Sequence, residues 1–303
     1  MFKKTARIQV EKPSFKLFEG EKWLVIMSLI GFILSAGIAI YILQNGEVIL
    51  PEGNVKDAFS FNAAIAMFIL SLAAILPLSG LSARKRKTFR WLMIAATLYS
   101  YGIETIQNFR GFNPRFSREG SIIDTVGGML FGVVSLIIVI LGLLLLVQFF
   151  RLKKPFHRPL LIMGIRYAFL SVLVANIAGI WMILLQDRFT GDSGNLIVLH
   201  GISFHAMQTL IVPCWLLERV QLKEHSKKML LHVGSIAWMV AIMIIGNQTA
   251  LGRSVFEGSV LSIVALILLV VWFGTFITAL LHYVKAKSST RLPSNEIGIE
   301  RGE

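Results

Sequence analysis

The sequence predicts an all-α fold, a polytopic membrane helix bundle with eight transmembrane helices and both termini in the cytoplasm. Three observations lead there. Apolar residues make up 55% of the 303 residues and the mean hydropathy is +0.71, more apolar surface than a soluble chain of this length can hide. These residues gather in eight continuous runs of about 20, the length that crosses a ~30 Å hydrocarbon layer at 1.5 Å per residue. Lys and Arg fall almost entirely on every second loop, the pattern of the positive-inside rule. Because the runs are continuous rather than alternating, they read as helices that satisfy their own backbone, and a β-barrel is excluded.

A cytoplasmic basic leader, residues 1–22, carries Lys3, Lys4, Arg7, Lys12, Lys16 and Lys22. The transmembrane domain runs from 23 to 284. Span one is Trp23–Leu43, too long for a signal-peptide core and therefore an uncleaved span. Span two is Phe59–Leu81, followed by the densest basic cluster, Arg84–Lys87 with Arg90. Span three is Trp91–Phe109. Span four is Ile122–Phe150, long enough to tilt, and is closed by Arg151, Lys153, Lys154 and Arg158. Span five is Pro159–Leu185, span six Leu196–Leu217, span seven Met229–Gly246 and span eight Ser259–Val284. A cytoplasmic polar tail, 285–303, holds Lys285, Lys287, Arg291 and Arg301. The intervening loops hold only Lys56, Arg110, Arg115, Arg118, Arg188 and Arg253. The charge bias places the protein in the cell membrane with both ends inside. No internal repeat is visible. A four-plus-four repeat would be parallel, since four spans return the chain to its starting side.

The formal net charge of +13 is a topology signal with some contact to anionic headgroups, not a nucleic-acid footprint, because no basic domain is large enough to read a duplex. Cys214 is the only cysteine and can form no intramolecular disulfide. Phosphate-binding glycine loops, zinc-protease helices, nucleophile elbows and haem-attachment motifs are all missing.

Polar groups at membrane depth are costly and mark function. Span six carries His200, His205 and Gln208. The histidines are about 140° apart around the helix, so they do not form an i,i+4 metal clamp by themselves, and the three residues make a broad polar face. Metal ligation by His200 and His205 needs further groups from other spans. Span three carries Tyr101, Glu104 and Gln107 in a slanting stripe. Glu104 is expected ~8 Å beneath the same edge as His200, with His200, His205 or Arg110 as its partner. Asp124 is expected to favour the dipole at the start of span four. Arg166 is expected to snorkel to headgroups. Gly128 and Gly132 form a Gly-x-x-x-Gly pair that allows close helix contact, within the bundle or between protomers.

The stretch Gln107-Asn-Phe-Arg110-Gly111 with Ser117 after it, and Gly191-Asp192 followed by His200-x4-His205-Ala206-Met207-Gln208, resemble motifs of an uncharacterised family of multi-pass bacterial membrane proteins. In that family a Gln-x-x-Arg-Gly segment precedes a Ser-His-Phe-Asn-like run, and a later helix carries His-x-x-Gly-x-His-Ala-Leu-Gln. Pro114–Ser117 lacks the loop histidine and Ser203 replaces the glycine. The resemblance implies a bacterial cell membrane and a pairing of spans three and six; it supplies no activity. Three functional classes stay open. One is a binding or transport protein for a small solute, ion or proton with an outward-facing polar cavity. The second is a membrane enzyme or redox protein holding metal, haem or quinone, and the third a scaffold or sensor. No cofactor is assigned. The expected partners are the lipid bilayer and a small-molecule or ion ligand.

Overall fold

A computed structural model describes residues 16–153 and 156–289. The leader lysines and arginine before residue 16, Lys154, and the tail arginines Arg291 and Arg301 lie outside the described residues. The chain forms helix α1 (Lys22–Asn45), a short hairpin β1 (Val48–Ile49) and β2 (Gly53–Asn54), α2 (Val55–Ile75) continued by a 3-10 turn at Leu76–Leu78, α3 (Ala83–Phe109) and α4 (Ile122–Arg151). It continues with α5 (Pro159–Leu185), a second hairpin β3 (Phe189–Thr190) and β4 (Gly194–Asn195), and a broken helix α6 (Leu196–Phe204), α7 (Ala206–Thr209), α8 (Ile211–Leu217). Helices α9 (Glu224–Ala250) and α10 (Val260–Ser289) complete it.

Seven of these stretches are long and apolar enough to cross a membrane. The exception is α3, 27 residues long, whose first turns hold the Arg84–Arg90 cluster and whose last turns hold Glu104 and Gln107. It begins eight residues ahead of the apolar run because Ser82 caps it, accepting from the Lys85 N–H. A core of Leu24, Phe68, Leu72, Met93, Phe149, Leu161, Ile165 and Phe169 joins the helices. Helix α10 buries almost nothing of its apolar stretch, as a helix facing acyl chains would.

The structure corrects the absence of a repeat. Glu21 to Phe112 and Ile162 to Arg253 fold alike at a constant separation: Gly53 and Gly194, Asn54 and Asn195, Gln107 and Gln248, and Gly111 and Gly252 each stand 141 positions apart. The hydrogen bonds repeat with them. The Val55 N–H donates to the Glu47 carbonyl at 2.9 Å, and the Leu196 N–H to that of Arg188 at 2.8 Å. Asn54 caps α2 by accepting from the Lys56 N–H at 3.0 Å, and Asn195 caps α6 by accepting from that of Ile197 at 2.9 Å. The Glu52 N–H donates to the Gly111 carbonyl at 2.8 Å, and the Ser193 N–H to that of Gly252 at 2.9 Å. Each hairpin is thereby stapled to the end of the third helix of its own half. Gly111 and Gly252 take φ values of +83° and +72°, which only glycine adopts at no cost, and both press on the facing hairpin backbone. The chain is two tandem units of three helices and a hairpin, each followed by a long helix, α4 or α10.

The first hairpin is also tied by the carboxylate of Glu52. Glu52 accepts from the Ser117 hydroxyl at 2.5 Å, the Arg118 N–H at 2.7 Å and the Asn113 N–H at 3.3 Å. Desolvation pushes its carboxyl up, but the hydrogen bonds from Ser117, Arg118, Asn113 and Glu119 outweigh it, so the net shift is below the ordinary 4.5. A lowered folded value means that the unfolded chain takes the proton first. Glu52 therefore stabilises the loop fully above pH 4.5 and loses that contribution as pH falls through the lower folded value. Glu52→Gln is expected to flatten the acid limb of a stability-against-pH curve recorded in detergent; an unchanged limb would refute this role.

Candidate functional site

Arg115, in the loop between α3 and α4, is the group that meets Glu104. Asn113 sets the loop, its side-chain oxygen accepting from the N–H groups of Arg115 and Phe116 at 2.9 and 3.1 Å. The Arg115 carbonyl rests on Gly128, 2.9 Å from where a Cβ would stand. The side chain then reaches between helices, with its guanidinium 5.5 Å from the Phe61 ring and 5.7 Å from the Phe131 ring. Its Nη2 lies 2.9 Å from Glu104 Oε2, with Glu104 fully buried and Arg115 31% exposed. That contact is an ion pair whose angle falls short of a hydrogen bond, and Glu104 Oε1 has no protein partner. The expected partners His200, His205 and Arg110 are corrected to Arg115, which the charge pattern of the loop alone did not single out. Gly128 is used by this loop, while Gly132 faces open space.

A second cluster closes the start of α4. Asp124 accepts from Gln107 Nε2 at 2.9 Å, from Arg110 Nη1 at 2.6 Å, and from the Ser121 N–H and hydroxyl at 2.8 and 2.6 Å. The expected dipole role holds, but Asp124 is also the hub that ties span three to span four. The matching Gln248 in the second half donates instead to Ser259 and Ser262 at 2.9 and 2.8 Å. Gln107 and Arg110 are thus joined to each other and to Asp124 rather than to span six.

Tyr101 is buried, with its hydroxyl packed against Gly31 and without a hydrogen-bond partner. Thr97, one turn further along the same face of α3, and Asn62 on α2 also keep a buried oxygen without a partner. Buried polar atoms are as a rule paired, so this row, ending at Glu104, offers acceptors suited to ordered water.

Span six breaks for a local reason. Pro213 has no N–H to offer the Thr209 carbonyl, and the Trp272 indole N–H from α10 takes that carbonyl at 3.2 Å. The chain also tightens at His205, whose N–H is shared between the Gly201 and Ile202 carbonyls at 3.2 Å each. His200 is half-buried, its Nδ1 2.8 Å from the Ala175 carbonyl, and its ring is edge-on to Phe204. His205 is exposed. The two histidines are therefore not drawn together, and among the described residues no group of three or more His, Cys, Asp or Glu side chains could hold a metal ion.

Gln208 crosses between the halves, donating to Ser71 Oγ at 2.6 Å and to the Met67 carbonyl at 3.5 Å, while its Oε1 has no partner. Met67 is its own counterpart in the repeat. On α2 the residues Lys56, Ser60, Ala64, Met67 and Ser71 lie on one helical face; on α6–α8 the counterparts are Ile197, Gly201, His205, Gln208 and Val212. The faces touch at Gln208. Towards the hairpins Lys56, Ser60, Ala64, Ile197 and His205 are all exposed. His205 thus lies on the exposed part of this face, on the hairpin side of the Gln208 contact. Arg188 from the second hairpin lies 3.5 Å from Asp57 of α2 and ties the two halves together at the hairpin end.

The chain matches no protein-family model, no curated protein and no solved structure. The membrane-capable helices and this geometry define it as a multi-pass helical membrane protein built from two tandem units.

Proposed function

We propose that this is an eight-span protein of a bacterial cell membrane, with both termini in the cytoplasm, that binds or transports a small solute, an ion or protons through an outward-facing polar cleft. The eighth crossing is assigned to α3 on the repeat: its counterpart α9 is apolar enough to span, and α3 is of equal length. The loop charge bias supports the orientation.

The observation that carries the functional reading is the break in span six beside the Gln208 contact that joins the two repeats. Transporters place their sites at repeat interfaces, where discontinuous helices expose polar groups near the midplane. His205 is exposed there and Gln208 Oε1 is buried without a partner among the described residues; Glu104 and the oxygens near it add acceptors suited to an ion or proton. In vesicles containing the purified protein, His205→Ala and Gln208→Ala are each expected to lower solute-coupled or proton flux at least tenfold without loss of folded protein, about 1.4 kcal/mol of lost interaction with the passing species. Full flux in both variants would defeat the reading. An absorption band of haem, or stoichiometric metal, would replace it with the redox class.

A further inference from the structure

At the end of the bundle remote from the hairpins, α4, α5 and α9 surround a groove of about 820 Å³, the size of a small-ligand site. Its walls are apolar, chiefly Phe150, Phe156, Ile162, Met163 and Leu170, and its polar groups are Arg166, Lys228 and Tyr167. Arg166 does not snorkel away from the bundle. Its Nε donates to the Phe149 carbonyl at 3.1 Å, and Nη2 to those of Phe150 and Leu152 at 3.5 and 3.3 Å. It thereby caps the carbonyl end of α4. The guanidinium is also clamped 5.6 Å from the Phe150 ring and 5.0 Å from the Phe156 ring. Its Nη1 is given no acceptor by these bonds. Lys228 is exposed and has no acceptor among the described residues. The nearby carboxylates are already used, Glu224 by Lys227 at 2.9 Å and Glu218 by Arg158 at 2.6 Å. Among the described residues no carboxylate lines the groove.

We propose that this groove holds one anionic glycerophospholipid. The charge balance calls for a negative group between Arg166 and Lys228, and a phosphodiester supplies it with charge-assisted hydrogen bonds. The walls call for an acyl chain. Leu170 lies eleven residues into α5, ~16 Å along its axis, whereas Lys228 is in the second turn of α9. The cations thus stand at headgroup level and the apolar wall runs on into the hydrocarbon. A soluble anion would leave that wall empty. The site does not depend on the cleft at the other end.

The test is native mass spectrometry of the full chain in detergent with equal amounts of phosphatidylglycerol and phosphatidylcholine of identical acyl chains. Phosphatidylglycerol is expected to be retained at least fivefold better, the factor for one basic residue near an anionic headgroup. Lys228→Glu, an exposed change that leaves the Arg166 cap intact, is expected to abolish that preference, and Lys228→Arg to keep it. Equal retention of the two lipids, or a preference unaltered by Lys228→Glu, would overturn the proposal. So would displacement by glycerol phosphate alone, or a second copy of the chain covering the groove.

Discussion

Arg115→Ala is expected to lower unfolding stability in detergent by about 3 kcal/mol, towards the lower end for breaking a buried ion pair, because Arg115 itself is 31% exposed. The loss comes from Glu104, which has no exposed surface and no other ion-pair partner among the described residues. Once the guanidinium is gone, a carboxyl group is left desolvated and uncompensated. The control is the double variant Glu104→Gln with Arg115→Ala. A neutral amide in the same place removes the stranded charge, so the double variant should recover most of the lost stability. Differential unfolding of the four proteins gives the coupling directly. A double variant as unstable as Arg115→Ala alone would mean that the loop, and not the pair, is what Arg115 supports.

Gly53→Ala and Gly194→Ala are expected to destabilise alike, each by about 2–3 kcal/mol, the upper range for overpacking a close contact. A Cβ at Gly53 would stand 2.7 Å from Gly111 Cα and 2.8 Å from the Ile49 carbonyl, and would press on the Asn108 carbonyl. One at Gly194 would stand 2.7 Å from the Thr249 carbonyl and 2.9 Å from that of Thr190. These are backbone atoms, which cannot turn aside as a side chain can. Gly37→Ala and Gly132→Ala are the controls. Nothing lies within 4 Å of either position, so both should be neutral or slightly stabilising through helix propensity. Equal losses at the two hairpins would show that the halves use one device twice. A silent Gly194→Ala would show that the second hairpin is not stapled as the first is.

The helices were legible because lipid imposes a length and an apolar composition that few other environments demand. Span five begins and ends where the apolar run does, and span six covers the expected stretch. Boundaries slipped where polar residues are helical. Helix α3 starts within a basic cluster, since Arg and Lys are good helix formers once Ser82 caps the end. Helix α9 starts at Glu224, inside a stretch that hydropathy assigns to a loop. The candidate site was legible in its residue types and less so in its pairings. Glu104, Gln107, His200, His205 and Gln208 all sit at or near the hairpin half of the bundle, but Glu104 finds a loop arginine and Gln107 finds Asp124. Pairing across loops depends on the Asn113 turn and the seat at Gly128, and neither announces itself in hydropathy or charge.

The repeat was hidden for a related reason. Its halves share the few residues that a hairpin and a helix end require, such as Gly53-Asn54 and Gly194-Asn195, at a fixed spacing that could have been found. The helix interiors have diverged, with Glu104 opposite Ile245, Tyr101 opposite Ile242, and His205 opposite Ala64. Titratable groups therefore concentrate on α3 of one half and α6 of the other. The two halves are consequently unlike in chemistry while alike in backbone.

The most direct measurement is thiol accessibility at the proposed cleft between α2 and α6. Cys214 is the only native cysteine and is buried, so Cys214→Ala gives a silent background. Ala64→Cys, His205→Cys and, as a lipid-facing control, Leu266→Cys, whose native side chain is 61% exposed, are then treated in intact cells with a charged, membrane-impermeant thiol reagent. Rapid labelling is expected at 64 and 205 and none at 266, because only the first two would face water that enters from outside. Labelling at 205 as slow as at 266, or labelling only after the cytoplasmic side is opened, would contradict an outward-facing polar cleft.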